Sequence, residues 1–358
     1  MRWMEAALAQ SGRPVEEVLT DAERNPGRAL LGRRQSRSAV TVLRESRLDE
    51  GVCGMRPRLS RFPIDKPFER LEPDAPVSEM VLRLVVDLYS EAPVVIGTAT
   101  GLCRHLFVTA RHVLESVAWH DDCRSVDFTA PAAGTSLERT LTAVQVLPGP
   151  EYVAWDVVGV TAHPGSDIAL LQTTSKPRRS DSGSPPSGRA PRVNPFAPGV
   201  EERVAAFGYR RGWAETSRNA AGELNIRVGD EFMASVGIVR QIHDWGRDRV
   251  MMPFPCYQVS ARFDAGMSGG PVFDEYGSLC GLVCSGVDGA QESGEPISMV
   301  TTLWPLFALV IDGDRGEGYP KGVRYPAIEL ARDGQIHVAD RSRLMDWFRT
   351  HIDPMIGP

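Results

Sequence analysis

The chain has 358 residues, 42% of them hydrophobic and 24% charged, with a formal net charge of −6 and an isoelectric point near 5.7. That is enough apolar material for one or two sizeable cores, which excludes disorder throughout; the acidic balance excludes a general attraction to nucleic acid or anionic membrane. The six Cys form neither a disulfide ladder nor paired CxxC metal sites, so all are read as reduced thiols, most of them buried.

The first ten residues contain Glu5 and run into further charge, so they do not read as a secretory signal. No run of about twenty apolar residues occurs, so no membrane helix is expected. Both observations predict a cytoplasmic location. Residues 1–75 read as an extension, with short helices at Trp3 to Gln10 and at Val15 to Arg24. Pro14 precedes the second helix and Asn25-Pro26-Gly27 ends it. Its Arg-rich part, Arg28 to Arg70, is interspersed with Glu45, Asp49 and Glu50 and lacks interleaved aromatics, which speaks against nucleic acid. A solvated, partly ordered arm and a docking or autoinhibitory segment for a protein partner are the two readings.

Residues 76–175 change to a strand pattern. Met80 to Leu88, Pro93 to Thr100, Leu106 to Thr109, Arg139 to Leu147 and Tyr152 to Thr161 are short apolar or alternating runs between turn residues. His112 follows the third of these directly. The other six histidines, His105, His120, His163, His243, His337 and His351, stand in polar or loop-like contexts and read as surface positions. Asp167 opens the apolar run Ile168-Ala169-Leu170-Leu171, where a carboxylate is costly unless hydrogen-bonded, as a histidine N–H would do. Asp156 is the alternative carboxylate.

Residues 176–199 are rich in Ser, Pro, Gly and Arg and read as a surface linker. Residues 200–302 return to strands at Arg203 to Tyr209, Phe232 to Ile242, Cys256 to Arg262 and Ile297 to Thr301. Between the last two lies Gly266-Met267-Ser268-Gly269-Gly270-Pro271, followed by a hairpin turning at Gly277. Gly266 lets the backbone turn tightly enough for the Gly266 and Ser268 amides to face one spot, where an oxyanion could form. A serine needs a base and a group that orients the base, roles that His112 and Asp167 would fill. Residues 303–358 contain an apolar piece, Leu303 to Ile311, a strand-like pair at Ala327 to Leu330 and Gln335 to Val338, and an amphipathic helix, Ser342 to Ile352, that would pack on the rest. No phosphate loop, HExxH or dinucleotide fingerprint occurs, so no metal or organic cofactor is expected.

Thr109-Ala110-Arg111-His112, Asp167-Ile168-Ala169-Leu170-Leu171 and Gly266-Met267-Ser268-Gly269-Gly270-Pro271, in that order, resemble the three signature segments of trypsin/chymotrypsin-like serine peptidases, over the central two thirds of the chain. Within the family the chain is more similar to the compact bacterial members. The resemblance implies an all-β fold, two packed six-stranded antiparallel β-barrels with the site between them, here with a mixed N-terminal extension and a C-terminal helix. It implies a catalytic triad of His112, Asp167 and Ser268, an oxyanion hole at Gly266 and Ser268, and substrate backbone pairing at Ser285 and Gly286. Arg262 falls at the floor of the family's specificity pocket and would favour an acidic residue before the cut bond, with polar or small residues equally open. Met267 stands where digestive members carry the Asp that pairs with a new amino terminus, so that activation switch is absent. Arg111 replaces a small residue beside the base, pointing either to solvent or to substrate.

The resulting expectation is a cytoplasmic serine endopeptidase acting on protein or peptide, without cofactor, nucleic acid or membrane. Narrow specificity or a regulatory protein partner would restrain it. The alternative is a peptidase fold used as a peptide-binding scaffold without turnover.

Overall fold

The computed structural model describes residues 69–72, 75–103, 105–118, 140–146, 152–174, 178–179, 190–220, 222, 224–287, 296–314, 319 and 321–352. The two expected amino-terminal helices and residues 176–177 and 180–189 of the linker lie outside these residues.

In chain order the elements are β1 (Glu69–Arg70), β2 (Val81–Val86), β3 (Val94–Cys103), β4 (Leu106–Thr109), α1 (Arg111–Ala118), β5 (Leu141–Val146), β6 (Tyr152–Ala162), β7 (Ala169–Thr173), β8 (Arg178–Arg179), β9 (Arg203–Arg218), β10 (Leu224–His243), β11 (Cys256–Val259), β12 (Pro271–Asp274), β13 (Leu279–Val287) and β14 (Ile297–Thr301). The tail adds β15 (Val310–Asp312), β16 (Arg324–Pro326), α2 (Ala327–Arg332) and α3 (Arg341–His351). Short 3-10 turns precede β2 and β15.

The first sheet runs β5-β2-β3-β4-β7-β6, and β5 pairs with β6 to close a six-stranded antiparallel barrel; β8 pairs on β6 as a seventh strand. All six residues of β2 are buried. Alternate side chains explain this: Leu82, Leu84 and Val86 enter a core with Ala99, Phe107, Val113 and Leu171, while Val81 and Val85 enter other clusters.

The second sheet corrects the expectation of two six-stranded barrels. It has seven strands in the order β1-β10-β11-β14-β13-β12-β9, with a further β9–β10 pairing. Two features of the chain cause the difference. Residues Glu69–Arg70 of the amino-terminal extension add a strand opposite Met233 and Ala234 of β10. In addition, β9 and β10 are 16 and 20 residues long, far beyond a barrel stave, and continue as a ribbon over the first barrel. There Ile226 and Val228 pack with Val85 and Val95, and Thr216 donates to the Glu91 carbonyl at 2.8 Å.

A core shared by both sheets and the tail includes Leu106, Ile168, Phe207, Phe273, Leu282, Phe307, Leu344 and Phe348. On α3, found at 341–351 where the pattern predicts 342–352, Trp347 lies 4.3 Å from the Trp304 ring. Asp340 caps that helix by accepting from Arg343 N–H. The strand-like reading of Ala327 to Leu330 is corrected: these residues form α2, whose Ala327, Ile328, Leu330 and Ala331 are buried. A four-residue apolar run carries too little periodicity to separate the two structures. Among the described residues no helix is long and apolar enough to cross a membrane.

Candidate active site

His112 is the second residue of α1, which starts two residues after β4 ends. β4 itself is wholly buried, and Val113 and Leu114 anchor the helix in the barrel core. The imidazole is thereby held at the barrel rim, and its side chain is 42% exposed. Asp167 sits in the turn between β6 and β7 with its side chain 6% exposed. Its two carboxylate oxygens lie 3.0 and 2.8 Å from His112 Nδ1, and Oδ1 also accepts the His112 backbone N–H at 2.9 Å. With Nδ1–H donating to the carboxylate, Nε2 is left as an acceptor. Burial alone would pull the His112 ring down. The Asp167 hydrogen bond and charge, helped by Glu115, outweigh it and raise the ring above the ordinary 6.5.

Arg111 neither lies free in solvent nor stands out as a substrate ligand. Its guanidinium pairs with Glu115 at 2.7 Å and donates to the carbonyls of His163 and Pro164 at 3.1 and 2.9 Å. It therefore fastens α1 to the turn that carries Asp167. His163, expected at the surface, is buried, 6% exposed, and its Nδ1 accepts the Gly165 N–H at 3.1 Å. Burial, joined by the Arg111 charge, pulls it down to about 3. The alternative carboxylate, Asp156, lies within β6 opposite Thr142.

The turn 264–270 belongs to the second sheet but is bonded to the first barrel. Thr98 of β3 donates its N–H to the Ser268 carbonyl at 2.9 Å and its hydroxyl to the Gly266 carbonyl at 2.8 Å. Thr100 reaches the Gly269 carbonyl at 3.3 Å. Gly266 and Gly269 have φ of +95° and +82°, and a Cβ at Gly269 would lie 2.2 Å from Thr109 Oγ1 and 3.0 Å from the Ala110 amide. Only glycine satisfies both demands. The serine turn thus sits against the residues that lead into His112. Met267, Gly269 and Gly270 donate their amides to Asp264, Val283 and Met267 carbonyls. Among the described residues no acceptor takes the amides of Gly266 and Ser268.

Ser268 Oγ donates to the Cys284 carbonyl at 3.3 Å. The Cys284 thiol, from the same residue, donates to Met252 Sδ at 3.8 Å, and burial together with the nearby Asp167 carboxylate pushes it well up. A His112 ring nitrogen, an Asp167 oxygen and Cys284 Sγ all lie within 4.8 Å of one another. Sequence reading placed Cys284 in a strand and no further. It lies within the register shift between Val283 and Ser285, and neither that shift nor its closeness to Asp167 leaves a mark in composition or spacing. Beyond Leu282, β13 no longer pairs with β12, so Ser285 and the exposed Gly286 present a backbone edge without a strand partner on that side among the described residues. Arg262 is bonded to Asp264 at 3.3 Å with its side chain 39% exposed, and Asp264 is shared with Arg210 at 2.9 Å.

Residues 94–282, just over half of the chain, match the family model described as a trypsin-like peptidase domain. The chain belongs to the trypsin-like peptidase family. The matched segment of this peptidase contains the His112, Asp167 and Ser268 positions. No curated protein matches the chain significantly. Among solved structures it is similar to Rv3671c from M. tuberculosis H37Rv in an inactive form, at 18% identity and a TM-score of 0.37 over 70% of this chain and 89% of that one. It is also similar to the HtrA-type protease AlgW with tripeptide, at 15% identity and 0.36 over 64% and 58%. Deg5 matches at 15% identity and 0.37 over 63% and 84%. These likenesses are too distant to bear on any single residue.

Proposed function

We propose that the chain is a serine endopeptidase that cleaves peptide bonds through an acyl-enzyme, with Ser268 as nucleophile, His112 as base and then acid, and Asp167 as the group orienting His112. The observation that supports it is the convergence on Cys284. Its carbonyl meets Ser268 Oγ, and its thiol lies within 4.8 Å of the carboxylate that holds His112. In the proposed reaction the Ser268 hydroxyl leaves that carbonyl and gives its proton to His112 Nε2 as Oγ bonds the scissile carbon. Asp167 keeps Nδ1 protonated and steadies the imidazolium. The amides of Gly266 and Ser268 receive the oxyanion, and His112 then hands the proton to the departing amine. Water repeats the sequence to release the acid.

Substrate would lie extended along Ser285 and Gly286 as an added strand. Arg262 would face the residue before the cut bond, its charge shared with Asp264. On this reading 76–175 supply base and acid, 200–302 supply the nucleophile, 176–199 join them, and 303–358 brace both. Residues 1–75 remain the proposed docking arm for a regulatory partner, and the proposed setting is the cytoplasm.

A fluorophosphonate probe should label the protein, and labelling should vanish in Ser268→Ala and His112→Ala. Cleavage of a peptide library by the purified chain should follow the same pattern. Absence of labelling in the unaltered, folded protein would leave the scaffold reading in place of the enzyme.

A further inference from the structure

The buried face of the candidate site holds three metal-binding atoms drawn from three distant segments: a ring nitrogen of His112 on α1, a carboxylate oxygen of Asp167 between β6 and β7, and Sγ of Cys284 on β13, all within 4.8 Å of one another. Imidazole, carboxylate and thiolate are all zinc ligands, with bond lengths of about 2.0–2.3 Å. Donor atoms around one tetrahedral ion are therefore about 3.3–3.8 Å apart, so His112 Nδ1 and Asp167 Oδ2, now 2.8 Å apart, would part slightly while wider separations, at most 4.8 Å, would close. A fourth, soft donor is at hand: Met252 Sδ lies 3.8 Å from Cys284 Sγ, in a buried cluster with Cys256 and Met299. Charge also balances. Asp167 and a Cys284 thiolate together carry two negative charges, which one divalent cation cancels, where either anion alone would be costly to bury.

We propose that His112, Asp167 and Cys284 form a site for a thiophilic divalent cation, Zn²⁺ being the type, and that its binding switches the peptidase off. The bonds exchanged are the Nδ1–H bond that Asp167 now accepts from His112 and the S–H bond of Cys284. The S–H proton leaves to solvent, the His112 proton moves from Nδ1 to Nε2 so that the ring stays neutral, and the ion bonds Nδ1, a carboxylate oxygen and sulfur. His112 then carries its proton on Nε2 and has no lone pair there to take the Ser268 proton. The exposed His112 side chain is the entry path. Hard cations such as Mg²⁺ and Ca²⁺, which prefer oxygen, should leave the site alone. The switch rests on the proposed peptidase function; the binding site does not.

The test uses Co²⁺ as a spectroscopic substitute and Zn²⁺ as inhibitor, on the full chain. Co²⁺ should produce a thiolate-to-metal charge-transfer band in the near ultraviolet, lost in Cys284→Ser and kept in Cys256→Ala. Cys284→Ser keeps a hydroxyl beside Asp167 in a similar volume, so a folded protein is expected. At a Zn²⁺ concentration ten times its dissociation constant, fluorophosphonate labelling should fall about tenfold and recover with chelator. Mg²⁺ should have no effect, and Cys284→Ser, compared with its own metal-free rate, should lose most of the sensitivity. A cobalt band that survives Cys284→Ser, or no band in the unaltered chain, overturns the site. A band without inhibition overturns the switch. No labelling even without metal overturns the peptidase reading and the switch together, and the cobalt band still decides the site.

Discussion

Two opposed forces act on the His112 ring. Burial favours the neutral form, while the Asp167 hydrogen bond and charge, with Glu115 behind them, favour the cation and win, so the ring titrates above 6.5. In the proposed reaction His112 must be neutral to accept the serine proton, so the rate of fluorophosphonate labelling should fall as pH drops through that raised value, with its acid midpoint above 6.5. Asp167→Asn removes the charge and replaces one acceptor oxygen by an NH₂ donor; it should move the midpoint down and slow labelling by about 10⁴-fold. A midpoint that Asp167→Asn leaves in place would show that Asp167 does not set the ring's basicity. His112 and Ser268 were legible as residues because their flanking patterns are local. Cys284 was not, because its closeness to Asp167 joins positions more than a hundred residues apart.

The turn before β7 is held together by groups that do no chemistry themselves. Arg111 ties it to α1, and neutral His163 accepts the Gly165 amide inside it. His163 titrates near 3 in the folded chain and near 6.5 when unfolded, so the unfolded state binds the extra proton. The stability it confers is complete above about 6.5 and is lost as pH falls toward about 3, by several kcal/mol at most, one pKa unit being about 1.36 kcal/mol. His112 has the opposite shift and works in the opposite sense, but it is common to both proteins in a comparison with His163→Gln. Thermal midpoints should therefore drop more steeply with acid in the unaltered chain than in His163→Gln; parallel curves would mean that His163 is solvated. The strands Leu106–Thr109 and Ile297–Thr301 match the sequence reading to the residue, the first a short apolar run bounded by Arg104-His105 and the second opened by Gly294-Glu295-Pro296. Residues 327–332 mislead because a short apolar run packs equally well either way.

Across the whole molecule, the ribbon of β9 and β10 is joined to the first barrel by an ion pair out of water. Arg83 of β2 meets Asp230 of β10 at 2.5 Å, their side chains 7% and 5% exposed, and the guanidinium lies 5.0 Å from the Tyr209 ring centroid. Burial raises the Asp230 carboxyl above its ordinary value in spite of the Arg83 charge, as expected of a poorly solvated pair. Removing one partner leaves a buried charge: Asp230→Asn should cost about 3–5 kcal/mol in denaturant unfolding. Replacing both residues by apolar ones of similar size should be near neutral. A cost under about 1 kcal/mol for the single change, the range of exposed pairs, would mean that water reaches the site.

The order of the signature segments, the strand-rich class and the candidacy of His112, Asp167 and Ser268 were written in the sequence, because glycine turns, apolar alternation and a charge at a strand mouth are local necessities. The number of strands per sheet, the Arg111 clamp, the buried His163 and the thiol behind Asp167 were decided only by tertiary structure. Each depends on which distant backbone segments lie side by side, and neither composition nor spacing carries that information.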